Sequence, residues 1–183
     1  MKALIIADMI NDFVTGSLKC DRAQRIIPNI KKLADFCRLR EIPIIYLNDQ
    51  HLKVDKELSL WGEHAMAGTK GAEIIPELKA SDGDYVVYKR RYSGFFATSL
   101  DILLRELNVD EIIITGLLTN LCILHTAADA YFRELDIIVP EDGVEALTQE
   151  DQDSALKYME KFYSARVLKS DEIIGKIKME RSR

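Results

Sequence analysis

The chain is poor in cysteine and histidine, with three of each in 183 residues, and this scarcity excludes several classes of protein. Cys20, Cys37 and Cys122 form an odd set with no C-x-x-C pair, so neither a disulfide framework nor a zinc finger is expected, and a reducing, cytoplasmic setting is. Long hydrophobic runs are also missing. Nowhere do about 20 apolar residues stand in succession, and Ala3 to Ala7 is too short for a signal-peptide core before it meets Asp8. A formal net charge of -5 and the lack of any basic stripe argue against sequence-independent binding of nucleic acid, which needs a cationic face, and neither nucleic acid nor a membrane is expected as a partner. The basic tail Lys176 to Arg183 is short and reads as a solvated chain end. No repeat, low-complexity tract or linker divides the sequence, and 48% hydrophobic residues supply a sizeable core, so one domain over 1–183 is expected.

What is present is a regular alternation of two periods. Short β-rich runs predict strands at Lys2 to Ala7, Pro43 to Leu47, Tyr85 to Tyr88, Glu111 to Thr115, Asp136 to Val139 and Ala165 to Leu168. Helical patterns fall between them, at about Ala23 to Arg40, Ser99 to Leu107, Leu121 to Glu134, Glu150 to Phe162 and Asp171 to Ile177. Ile27, Ile30, Leu33, Ala34 and Cys37, for example, recur at helical spacing. Such alternation predicts an α/β fold: a three-layer α-β-α, Rossmann-like open parallel sheet with strand order 3-2-1-4-5-6 and right-handed crossovers.

One segment of that pattern carries a nucleophile. Ile112, Ile113 and Ile114 form the apolar run of a doubly buried strand, Gly116 marks its exit, and a helix is expected to open near Cys122, with Thr119 or Asn120 able to cap it. The positive end of that helix would favour thiolate over thiol. A lone cysteine so placed is more commonly a small buried apolar group, so the weight falls on its neighbours. In open parallel sheets ligands bind beyond the carboxyl ends of the strands, where the strand order reverses. There the first strand ends at Asp8, the second at Asn48-Asp49-Gln50-His51, the third at Lys89-Arg90-Arg91, and Cys122 follows the fourth. A core would not need ionisable groups at every strand end.

With Asp8, Lys89 and Cys122 predicted to converge, the chain resembles the isochorismatase-like cysteine hydrolases, the superfamily that includes nicotinamidases and N-carbamoylsarcosine amidases. The resemblance rests on Leu4-Ile-Ile-Ala-Asp8-Met-Ile-Asn-Asp-Phe13, Lys89-Arg-Arg-Tyr-Ser-Gly-Phe-Phe96 and Thr115-Gly-Leu-Leu-Thr-Asn-Leu-Cys122. Trp61-Gly-Glu-His64, Gly68 through Ile74 and Pro140-Glu-Asp142 extend it over nearly the whole chain. It implies an amidase whose catalytic triad is Asp8, Lys89 and Cys122. Cys122 would attack the amide carbon to form a thioester, and Asp8 would carry the proton from thiol to leaving amine. Lys89 would stay charged beside both. The resemblance further implies an oxyanion hole from the backbone N–H groups of Leu118 and Cys122, a cis peptide between Leu117 and Leu118, and Phe13 and Trp61 as rings against a flat substrate. Phe95 or Phe96 could close the pocket or form a subunit contact. Taken singly, Asp8 reads as a turn cap and Lys89 as a surface charge; Asp12 reads as a cap or structural hydrogen-bonding group, not a second base.

Asp49-x-His51, with His64 one loop later, makes a mixed carboxylate-imidazole set that suits one divalent ion, zinc, iron or manganese. Nicotinamidases, by this resemblance, use Asp49, His51 and His64 in that way; otherwise the two histidines are ordinary hydrogen-bonding loop residues. His125 reads as a packed or interface residue. No organic cofactor is implied. One departure stands out: many relatives carry glutamine where Ile10 stands, which removes a polar contact. Tyr92 to Phe96 looks closer to N-carbamoyl amidases, whereas the histidine set points to nicotinamidases. Isochorismatases proper do not need the thiol, so Cys122 argues against that activity.

The expectation is therefore a cysteine amidohydrolase that releases ammonia from a small carboxamide or N-carbamoyl compound. The alternatives are a metal-holding nicotinamidase proper, or a non-catalytic ligand-binding or scaffold member of the fold. Alanines and aromatics between Ala127 and Phe132 point to a homo-oligomer.

Overall fold

The computed structural model describes residues 1–180. Its sheet contains β1 (Lys2–Ala7), β2 (Ile44–Asp49), β3 (Tyr85–Lys89), β4 (Glu111–Leu117), β5 (Asp136–Pro140), β6 (Val144–Glu145) and β7 (Arg166–Leu168). Their spatial order is β3-β2-β1-β4-β5-β7, all parallel, with β6 laid against the end of β4. This is the predicted order, except that the two-residue β6 precedes the strand read as the sixth. So short a strand has no periodicity of its own; it exists because Gly116 and Leu117 offer it an open edge.

Alternate residues of each strand enter opposite cores. Leu4, Ile6, Ile44, Tyr46 and Ile113 face α2 (Ile27–Leu39) and α7 (Ser170–Glu180). Ile5, Ile45, Leu47, Ile112 and Ile114 face α4 (Leu100–Glu106), α5 (Leu124–Tyr131) and α6 (Gln149–Tyr163). Ile5, Ile112 and Ile114 are fully buried, and each such side chain stabilises the fold by roughly 1.5–3 kcal/mol. Burial on both faces is what makes these strands continuous apolar runs.

The short α1 (Asn11–Val14) and α3 (Leu58–Trp61) were not predicted; one helical turn cannot sustain itself and depends on its surroundings. The tail reading is corrected in part. Lys176 to Glu180 continue α7, with Ile177 buried, while Arg181 to Arg183 lie outside the described residues. Ala127 and Ala130 are fully buried in the core, whereas Tyr131 and Phe132 are exposed and set their rings tilted or edge-on against that of Tyr163. Among the described residues no helix is long and apolar enough to cross a membrane. All three cysteines are free and buried.

Candidate active site

Strand register assembles the site. Asp49 and Lys89 are partners at the ends of β2 and β3, and Ala7 pairs with Leu47 on one side and Gly116 on the other. The next residue, Asp8, thus sits between the ends of β2 and β4, with φ of 57°, a left-handed value that aspartate tolerates better than most residues. Its main-chain N–H still donates to the Leu47 carbonyl at 3.0 Å. Gly116 does not end β4 as its sequence position suggested. Its φ of 109° and the Ala7 carbonyl, which a Cβ would meet at 1.9 Å, require glycine where β4 runs close alongside β1.

Beyond β4 the peptide between Leu117 and Leu118 is cis, and residues Thr119–Ile123 form a π-helical turn leading into α5. Cys122 therefore lies inside that turn, not at the mouth of an α-helix. Neither Thr119 nor Asn120 caps it. Thr119 Oγ1 instead donates to Gln152 Oε1 at 2.5 Å, and Gln152 Nε2 donates to the Val144 carbonyl at 3.0 Å, tying the turn to α6 and β6.

Asp8, Lys89 and Cys122 are all buried and meet. Lys89 Nζ lies 2.8 Å from Asp8 Oδ2, 2.6 Å from Asp49 Oδ1 and 3.4 Å from Cys122 Sγ. Asp8 Oδ1 accepts the Asp49 N–H at 2.8 Å, while Oδ2 faces Lys89 without a well-angled hydrogen bond. Burial, then the neighbouring Asp49 charge, pushes the Asp8 carboxyl up to about 6 against the pull of Lys89. Burial weighs on Asp49 too, but Lys89 and His51 hold it below its ordinary value. Burial works against the Lys89 charge, yet Asp49, Asp8 and Cys122 together hold the ammonium well above its usual range. The Cys122 thiol is pushed well up, chiefly by burial, which the nearby Lys89 ammonium does not offset and to which Asp8 and Asp49 add. Burial thus works against the thiolate that the position after β4 favoured, and raises the thiol and the neighbouring Asp8 carboxyl together.

Cys122 opens into a cavity of about 140 Å³ lined mostly by apolar side chains, among them Phe13, Trp61, Leu118 and Leu147. Trp61 Nε1 donates to the Tyr92 hydroxyl at 2.9 Å, which fixes the indole plane. Phe95 is buried in the core under Arg133, and Phe96 is exposed; neither lines this cavity. His125 is exposed, with its ring 5.5 Å from that of Tyr92, and lies outside the other two histidines' cluster. Asp12 is a structural acceptor, its Oδ2 taking the Ala65 N–H at 2.8 Å. Ile10 is fully buried with Ala65, Ala72 and Phe13, so an apolar contact replaces the polar one.

Asp49, His51 and His64 come together with one residue that the sequence reading missed, Glu57; their ligand-type atoms all lie within 4.8 Å of one another. His51 Nδ1 pairs with Asp55 Oδ2 at 3.1 Å and His64 Nδ1 with the Gly62 carbonyl at 2.8 Å. His51 Nε2 is buried without a hydrogen-bond partner, 3.6 Å from Asp49 Oδ2. An orphaned imidazole nitrogen among two carboxylates and a second imidazole fits a divalent ion. Glu57 could have been suspected from its place in the loop between His51 and His64, but one exposed-type carboxylate in a charged stretch carries no distinctive signal.

A thiol, a carboxylate and an ammonium thus meet at the switch point of a doubly wound sheet. The isochorismatase domain model matches residues 2–172, and the chain belongs to the isochorismatase family. It is 37% identical to the uncharacterized isochorismatase family protein YaaI of Bacillus subtilis, covering 96% of this chain and 97% of that one. The structure superimposes on N-carbamoylsarcosine amidase from Thermoplasma acidophilum with a TM-score of 0.87 at 39% identity, covering 93% of this chain and 96% of that one. Nicotinamidase PncA from Bacillus subtilis gives 0.86 at 30% identity, covering 92% and 99%. A pyrazinamidase of Pyrococcus horikoshii, solved in complex with zinc, gives 0.85 at 26% identity, covering 92% and 98%. Amidases are thus among its structural neighbours, and at least one relative binds a metal.

Proposed function

We propose that this chain is a cysteine amidohydrolase that releases ammonia from a small carboxamide or N-carbamoyl compound through a Cys122 thioester. The observation that carries this reading is the contact of Lys89 Nζ with both Asp8 Oδ2, at 2.8 Å, and Cys122 Sγ, at 3.4 Å, in the wall of one cavity. With its carboxyl raised only to about 6, Asp8 is ionised at neutral pH while the thiol is not. Asp8 takes the thiol proton as sulfur bonds to the amide carbon and the carbonyl π pair moves onto oxygen. The backbone N–H groups of Leu118 and Cys122 receive that oxyanion. The C–N bond then breaks, Asp8 returns the proton to nitrogen, and ammonia departs. Water attacks the thioester carbonyl, giving its proton to Asp8; the sulfur leaves and takes that proton back. Lys89, fully buried and charged, holds the Asp8 carboxylate in place throughout.

Phe13 and Trp61 are the substrate-binding rings, and the narrow apolar space between them suits a flat, compact molecule. Asp49, His51, His64 and Glu57 are the residues that would hold a zinc, iron or manganese ion. Bound there, the ion would act as a Lewis acid and fix a polar atom of the substrate remote from the reacting carbon. That cluster favours a second reading, nicotinamidase proper. Both are separated by measuring ammonia release from nicotinamide, N-carbamoylsarcosine and ureidoglycolate, beside Cys122→Ala and with metal analysis of the purified protein. Turnover lost in Cys122→Ala, with a mass increment on intact wild-type protein matching the acyl group, is expected. Equal, undetectable release from both proteins on every amide would favour a binding protein instead.

A further inference from the structure

We propose that Asp55 is a positioning residue for a divalent metal, fixing the tautomer of His51 so that its Nε2 lone pair faces Asp49, Glu57 and His64. This rests on the reading of that cluster as a metal site. The Asp55 side chain is completely buried, although it comes from the loop after β2. It accepts hydrogen bonds from the Leu52 N–H at 3.0 Å and from Arg90 Nε at 3.0 Å, and it also contacts Arg90 Nη2. Arg91 Nη1 lies 3.7 Å away. Surrounded by these donors, the carboxylate can only accept, so the fourth group that reaches it, His51 Nδ1 at 3.1 Å, must carry a proton. A neutral imidazole protonated at Nδ1 has its lone pair on Nε2, which is the buried atom left without a partner. A carboxylate behind a ligating histidine is the usual way a protein holds ring orientation and raises ligand basicity. His64 has a backbone carbonyl in the same role, which mutation cannot remove. Arg90, on the strand side, keeps Asp55 in place and is itself 45% exposed.

The test uses the full-length protein stripped of metal by a chelator and titrated with zinc alone against a competing chelating dye. Wild type should bind one equivalent. Asp55→Asn, whose amide can also donate and so permits the wrong tautomer, should bind zinc about 10–100-fold more weakly. Arg90→Gln should lose a few-fold, and it carries the test if Asp55→Asn is not recovered folded. In nitrogen-15 spectra of the zinc-loaded proteins, the His51 Nδ1–H proton, assigned by its absence in His51→Gln, should lie far downfield in wild type and move upfield in Asp55→Asn. A merely structural Asp55 would weaken the fold without moving that resonance, and unchanged affinity or an unmoved proton overturns the proposal. If wild type takes up no zinc, the metal reading falls together with this inference, while the Cys122 reading stands on its own assay.

Discussion

At the amino ends of β1 and β4, Lys2 Nζ lies 2.7 Å from Glu111 Oε2 and 2.9 Å from Glu180 Oε2, and Arg166 closes on Glu111 from the other side. At the carboxyl ends of the same sheet, Lys89 Nζ lies between Asp8 and Asp49 at similar distances. The chemistry is alike, but the consequences differ. Lys2 and Glu180 reach solvent, so their pairing is screened and contributes little, whereas Lys89, Asp8 and Asp49 are sealed from water, where each ion depends on its partners. The upper cluster also carries more negative than positive charge and leaves a thiol pressed against it, an arrangement that stability alone would not select.

Breaking each end should expose that difference. The largest effect is expected at the sulfur: Cys122→Ala should lower kcat/KM for the amide identified in the ammonia screen by about 10³-fold or more, with the fold intact by circular dichroism. Lys89→Gln should come next, because it leaves two buried carboxylates without their cation; urea denaturation should show a loss of about 3–5 kcal/mol. An acid limb near pH 6 sharpens the comparison further. Since Asp8 must be ionised to accept the thiol proton and its carboxyl is raised to about 6, kcat/KM should fall as pH drops through that value, and Asp8→Asn should abolish both the limb and most of the rate. Stability runs the other way for this residue. Its folded-state carboxyl titrates above the unfolded one, so its contribution is full below about 4 and is lost as pH rises through about 6. Asp49, held low, contributes above its unfolded value and loses that contribution as pH falls, so the Asp8 contribution is read from the difference between wild type and Asp8→Asn.

A smaller effect is expected beside the cavity. Ile10→Gln puts an amide into the pocket of Ala65, Ala72 and Phe13 and should destabilise by about 1–3 kcal/mol; a stabilised variant would show that the apolar contact is dispensable. Smallest of all is Lys2→Ala at the opposite end, which leaves Glu111 to Arg166 and should cost at most about 1 kcal/mol with no change in turnover.

Much of this was legible from residues alone, and the reasons are local. Strands buried on both faces must be apolar throughout, so Ile112 to Ile114 or Leu4 to Ala7 announce themselves, and the β-α alternation between them predicts a parallel sheet, for which the doubly wound order is the common one. Asp8 and Lys89 were legible as ionisable groups at strand ends, and Cys122 through the Thr115 to Cys122 motif that carries the family resemblance. Asp55, Glu57 and Gln152 were not, because their significance lies in partners remote along the chain: Arg90 just past the end of β3, His64 beyond α3, and Thr119 in a turn more than thirty residues earlier. The short α1, α3 and β6 were hidden for the same reason, since each is held by what packs against it.

The order of hydrophobic and polar residues along this chain therefore determined an open parallel sheet and delivered ionisable groups to its carboxyl edge, because period and burial are properties of single segments. The protonation state of the sulfur was decided only when the chain folded. Helix position alone argued for a thiolate, but three charges from the ends of β1, β2 and β3 and a shell of apolar side chains converge on the sulfur beyond β4, and the free energy of an ion depends on everything within a few ångströms of it, whatever its distance along the sequence.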